Sequence, residues 1–194
     1  MTTWFRCIIE GITTYGEFAP YAILIGMVVM FANKKTGIRE FFLDQLFIFY
    51  IICVIRLVFF PLPDASQIAA MNGYTGRYIP FAFVADIIRD KTVESVLQVV
   101  FNVIMTIPFG AYLTIRFKMN LKEIVAVSFG FSLFIEIGQL TGLFFVYPGS
   151  YRFFDVDDLM MNTLGGFIGT VATKYAIKLT EKSAVKAEKI IFQL

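Results

Sequence analysis

Polar side chains interrupt an otherwise apolar stretch between residues 129 and 175: Glu136, Gln139, Arg152, Asp155, Asp157, Asp158 and Asn162. Their types are those that grip anions, move protons or hold hard cations. An arginine offers a planar fork to phosphate or carboxylate. The carboxylates of Glu136, Asp155, Asp157 and Asp158 are oxygen donors of the kind a divalent cation takes. A buried Glu136 suits proton transfer, with Arg152 stabilising an anionic transition state. The chain has no His, which removes imidazole bases, imidazole metal ligands and Ser/His or Cys/His nucleophile pairs. Three readings compete for these residues. They are internal glue, with Glu136 paired to Arg56 or Arg152 and Asp155 and Asp158 capping a helix. Or they form a binding site for an amphiphile with a polar head, walled by Phe side chains. Or they hydrolyse or transfer a lipid-linked phosphate or sugar, although no nucleophile motif is visible.

The spacing says which elements must position them. Ser128, Ser132, Glu136 and Gln139 fall on one face of a helix, and Asp155, Asp158, Asn162, Gly165 and Gly169 on one face of another. Gly165-x-x-x-Gly169 is a close-packing pattern in an apolar helix. The turn 147–150 joins the two. Glu94, Gln98 and Asn102 form a third polar stripe, and Arg56 lies about one turn before the end of an apolar run at Phe60. A charge at mid-bilayer costs about 2.5–3.5 kcal/mol, so such groups face one another or a wet cavity. The expected ligand-binding set is Arg56, Gln98, Asn102, Glu136, Gln139, Arg152, Asp155, Asp158 and Asn162, with Glu136 as the catalytic group if the protein is an enzyme. No cofactor is expected, with a divalent cation at the carboxylate cluster left open.

The 194 residues are 58% hydrophobic and include 23 Phe, with a mean hydropathy of +0.73. Several runs reach the ~18 residues that span hydrocarbon, and continuous runs favour helices over a barrel. The expected fold is all-α, a polytopic membrane bundle of about five spans near 15–32, 41–60, 93–115, 124–146 and 158–179, plus short interfacial helices. Residues 1–14 read as an interfacial segment, or as the frayed start of the first span. Residues 15–180 form the membrane domain and 181–194 a basic tail. Lys34, Lys35 and Arg39, then Arg116, Lys118 and Lys122, then the lysines from Lys174 to Lys189 all fall on one side. That side is cytoplasmic by the positive-inside rule, leaving the N-terminus and the 147–150 turn outside. The stripe Lys174, Lys178, Lys182, Lys186 suits anionic inner-leaflet lipids. The loop 61–92 carries a short helix from about Pro80 to Arg89, either a lid or a plain connector. Net charge is only +2, so nucleic acid is not an expected partner. Cys7 and Cys53 have no metal or disulfide spacing, and no cleavable signal peptide is evident.

Taken together, Ser132-x-x-x-Glu136-x-x-Gln139, Arg152-x-x-Asp155-x-Asp157-Asp158 and Asn162-Thr163-Leu164-Gly165-Gly166 with Gly169 resemble the signature of the VanZ-like membrane proteins. Ile79-Pro80-Phe81, Asn102 and Ile107-Pro108-Phe109-Gly110 are similar to the family's upstream landmarks, so the likeness covers about 78–175. It implies a small protein of a bacterial plasma membrane associated with resistance to glycopeptides such as teicoplanin. It also implies that Glu136, Gln139, Arg152, Asp155, Asp158 and Asn162 are the functional set. The implied partners are membrane lipids and a lipid-linked envelope precursor or lipoglycopeptide. The alternative is an enzyme modifying such a precursor.

Overall fold

The computed structural model describes residues 3–32, 37–71, 73–150 and 152–191. Lys34 and Lys35 lie outside the described residues, as do the side chains of Trp4, Phe5, Ile8, Lys186 and Lys189. Among the described residues are eight helices: α1 (Thr3–Ala32), α2 (Ile38–Phe59), α3 (Ala65–Ala69), α4 (Ala82–Asp90), α5 (Val93–Phe117), α6 (Leu121–Leu140), α7 (Gly142–Phe145) and α8 (Val156–Ile191). Two short strands, β1 (Gly76–Arg77) and β2 (Phe154–Asp155), pair in parallel. The fold is all-α, as the composition implies. Among the described residues three helices are long and apolar enough to cross a membrane, α2, α5 and α6. Each exposes large apolar side chains, among them Leu46, Ile104 and Phe134, which in quantity mark a lipid-facing surface.

Several expected boundaries shift for physical reasons. α1 is continuous from Thr3 to Ala32, so the amphipathic start and the apolar run are one helix. α6 stops at Leu140 rather than running on to residue 146. Gly142 takes a left-handed φ of +62°, the conformation that ends helices at glycine, and Leu143, Phe144 and Phe145 stay left-handed in a single tight turn. A Cβ on Gly142 would overlap the Gly149 carbonyl, so the turn requires glycine there. α8 extends past residue 179 to Ile191. The lysine stripe therefore sits on the same helix as the acidic and glycine-rich segment.

The chain divides into two compact units, Met1–Ala82 with Phe131–Leu159, and Phe83–Gly130 with Met160–Leu194. In the first, α1 and α2 pack antiparallel. Glu10 meets Arg56 across 2.6 Å, a Cβ on Gly11 would reach the Cys53 sulfur, and one on Gly26 would touch the Phe41 ring. The buried Gln45 sits between the two helices: Tyr15 donates to its Oε1 (3.3 Å) and its Nε2 donates to the Ala22 carbonyl (3.2 Å). Glycines let the backbones approach, and Gln45 and the Arg56 Nη2 find partners across the gap, while Arg56 Nε is buried without an acceptor among the described residues.

In the second unit small residues bring α5, α6 and α8 together. A Cβ on Gly165 would overlap the Val103 carbonyl, one on Gly169 the Ile107 carbonyl, and one on Gly110 the Gly166 carbonyl. The expected glycine face is therefore a true contact face. Thr106 donates to the Asn162 carbonyl (2.6 Å), Thr114 to Gly110 (2.8 Å) and Thr170 to Gly166 (2.9 Å). The entry to α6 is a capping box, with the Asn120 side chain accepting from Glu123 N–H (3.0 Å) and Glu123 accepting from Asn120 N–H (2.9 Å).

Candidate functional site

Six of the nine expected site residues, Arg56, Glu136, Gln139, Arg152, Asp155 and Asp158, lie in the first unit. The face Ser128, Ser132, Glu136, Gln139 is buried along its whole length. Glu136, 1% exposed, accepts a hydrogen bond from the Asp155 backbone N–H at 2.8 Å. Ser132, one turn earlier, faces the Asp158 carbonyl at 3.5 Å. The α6 polar face thus holds the chain where it enters α8.

Asp155 is the hub. Its Oδ1 accepts from Asp157 N–H (2.9 Å), capping α8 as expected of an acid at a helix start. Its Oδ2 receives the Arg77 guanidinium through Nη2 and Nε, the latter at 3.1 Å. The reason is the strand register, which sets Arg77 opposite Asp155 and Gly76 opposite Phe154, where side chains meet across a strand pair. Asp157 in turn accepts from Phe81 N–H at 2.6 Å. The buried carboxylates are therefore held by backbone amides and by Arg77.

Gln139 and Arg152 meet the end of α2 instead. Gln139 Nε2 donates to the Val58 carbonyl and Arg152 Nη2 to the Phe60 carbonyl, each at 2.8 Å. Val58 belongs to the last turn of a helix, whose carbonyls lack intrahelical partners, and a cation near that end is favoured by the dipole. Arg56 pairs with Glu10 (2.6 Å) rather than with Glu136, and its guanidinium lies 4.3 Å from the Phe60 ring centroid. No carboxylate pairs with Arg152 among the described residues. It borders a cavity of about 530 Å³ lined by Pro61, Pro63, Gln67, Ala70, Met71, Gly73, Thr75, Ser150 and Arg152. Its walls are tied by Thr75 N–H donating to Ser150 Oγ (2.9 Å) and Ser150 N–H to the Gly73 carbonyl (3.2 Å).

The other three expected residues belong to the second unit. Asn162 is buried, and its backbone carbonyl takes the Thr106 hydroxyl. Asn102 is half-buried and gives its carbonyl to the same hydroxyl at 3.2 Å. Gln98 is exposed, as is Glu94. Among the described residues no group of three or more Cys, Asp or Glu side chains is arranged to hold a metal ion.

Sequence reasoning missed Arg77, Glu10, Gln45 and the cavity-lining Gln67. Arg77 carried one usable signal, a lone cation between Gly76 and Tyr78 in an aromatic loop. A two-residue strand has no alternation to read, so nothing in the sequence aligned it with Asp155.

A model of the VanZ/LLP1 family matches residues 47–178, a range that contains α5, α6, both strands and every expected site residue. No curated protein and no solved structure matches the chain.

Proposed function

Because the chain belongs to the VanZ/LLP1 family of membrane proteins, we propose that it lowers susceptibility to glycopeptide and lipoglycopeptide antibiotics of the teicoplanin type. It does so by recognising a lipid-linked or lipidated envelope molecule at an outward-facing polar pocket. One observation carries this reading: Arg152 borders a cavity of about 530 Å³ with no carboxylate partner among the described residues. That volume lies in the range of about 300–1,000 Å³ typical of ligand sites. An arginine without an acidic partner keeps its charge for a ligand. Glu136, Gln139, Asp155 and Asp158 act as the frame that fixes Arg152 and the loops around it. The basic clusters after α1, after α5 and along α8 support an outward pocket, with five spans, an external N-terminus and a basic cytoplasmic tail.

A second reading, an enzyme modifying a lipid-linked precursor, is favoured by one feature, the buried Glu136 carboxyl beside Asp155. It predicts that Glu136→Gln abolishes activity while bound precursor accumulates.

The test is drug susceptibility of a sensitive host carrying the protein, with a lipidated glycopeptide and the same compound stripped of its acyl chain. Protection against the acylated drug alone is the expected result. Equal protection against both would remove lipid recognition, and none against either would remove the resistance role. Orientation is checked separately in a background lacking Cys7 and Cys53. A cysteine at Ser183 should stay unlabelled by an impermeant thiol reagent on intact cells, and its labelling would reverse the topology.

A further inference from the structure

The cavity beside Arg152 has a lining whose chemistry selects among polar heads. Among the described residues that line it, Arg152 is the one charged member and none is Asp or Glu. One guanidinium nitrogen, Nη2, is fixed to the Phe60 carbonyl (2.8 Å), so the group is oriented by the end of α2. Its remaining N–H groups have no protein acceptor among the described residues. Gln67 uses its Oε1 to accept from Asp64 N–H (2.9 Å), where it helps cap α3. Its amide NH2 has no protein acceptor among the described residues and is a second donor. Thr75 Oγ1 and Ser150 Oγ lie 3.0 Å apart. One hydroxyl proton bridges them, and the other is a third donor. Nearby Asp64 does not line the cavity; its carboxylate is engaged by Ser66 Oγ (2.6 Å) and Gln67 N–H (2.8 Å), which hold it below the ordinary carboxylate range.

A donor-rich wall with one cation and no acid fits an acceptor-rich anion, for which a phosphate oxygen cluster is the best match to a guanidinium fork. The space exceeds what an inorganic ion needs and falls in the range that holds an organic ligand. Pro61, Pro63, Ala70 and Met71 supply an apolar side. We propose that this cavity binds a phosphate ester with an organic substituent, with Arg152 and the Gln67 amide holding the phosphate. This rests on reading the surroundings of Arg152 as a ligand site, and it adds the chemical class of the head.

The test uses the full chain purified into nanodiscs, with native mass spectrometry of retained phosphatidylglycerol against diacylglycerol, which lacks the phosphate. Wild type should retain phosphatidylglycerol at least tenfold over diacylglycerol. Arg152→Gln, compared per folded protein, should lose about tenfold in that retention. Gln67→Glu keeps the oxygen that caps α3 but replaces the donor with a negative charge, so it should lose as much. If Arg152→Gln fails to fold, Gln67→Glu decides. Competition by glycerol 3-phosphate would identify a site that accepts soluble phosphate esters, and its failure would identify a lipid headgroup site. Equal retention of both lipids, or wild-type retention in the folded variants, overturns the proposal. Drug susceptibility of the same variants separates this from the resistance role. Loss of phosphate retention with unchanged resistance leaves the site and removes the role, and lost resistance with unchanged retention does the reverse.

Discussion

Both units bury polar groups, but by opposite means. In the first, side chains are buried against backbone: Glu136 on Asp155 N–H, Asp157 on Phe81 N–H, Gln139 on Val58 and Arg152 on Phe60. In the second, backbone is buried against backbone through Gly110, Gly165, Gly166 and Gly169, and hydroxyls of Thr106, Thr114 and Thr170 donate to helix carbonyls. The second arrangement carries no charge in its contacts and has little to offer a ligand. The first fixes irregular chain near 73–82 and 141–155 with ionisable groups and leaves one of them, Arg152, facing open space. Small-residue packing builds a rigid wall, whereas charged side chains pinned by amides build a site.

The comparison breaks most severely at Asp155. Asp155→Ala removes the α8 cap and the ion pair with Arg77. Breaking a fully buried pair costs about 3–5 kcal/mol. Because the Arg77 side chain is 34% exposed, a loss of about 2–4 kcal/mol is expected, read as a drop in thermal midpoint. Asp155→Asn keeps an oxygen for the cap and should recover part of it.

Next comes Gly169→Leu in the second unit. Forcing bulk onto the Ile107 carbonyl should cost about 1–3 kcal/mol with no change in ligand retention per folded protein. An unchanged midpoint would contradict the close contact at this face.

Smaller still is Glu136→Gln. The amide oxygen can replace the carboxylate as acceptor for Asp155 N–H, so a change of about 1 kcal/mol or less is expected. Retained phosphatidylglycerol should stay near wild type. Loss of function at full abundance, with an accumulated precursor, would move Glu136 from frame to catalyst.

What the sequence made legible was local. Burial of Ser128, Ser132, Glu136 and Gln139, the contact face of Gly165 and Gly169, and the Asp155 cap all follow from helical periodicity within one element. The same periodicity placed Gln98 on a polar face, but a stripe does not say whether another element covers it. Partners distant in sequence stayed hidden. Arg56, with Arg152 one of two candidate partners for Glu136 in the internal-glue reading, meets Glu10, and Arg77 meets Asp155 through a strand pair of two residues. Apolar pattern alone also carried α6 through Phe144 and Phe145, because the left-handed turn depends on Gly142 rather than on hydrophobicity.

The most direct test of the division between wall and site compares Arg152→Gln with Thr106→Val. Thr106→Val removes the hydrogen bond to the Asn162 carbonyl, at about 1 kcal/mol, and Arg152→Gln removes the one to Phe60, so both perturb stability to a similar degree. Drug susceptibility is measured against folded protein in the membrane for each. Arg152→Gln should lose protection at normal abundance, while Thr106→Val should lose it only in proportion to lost protein. Full protection by folded Arg152→Gln protein would contradict the account.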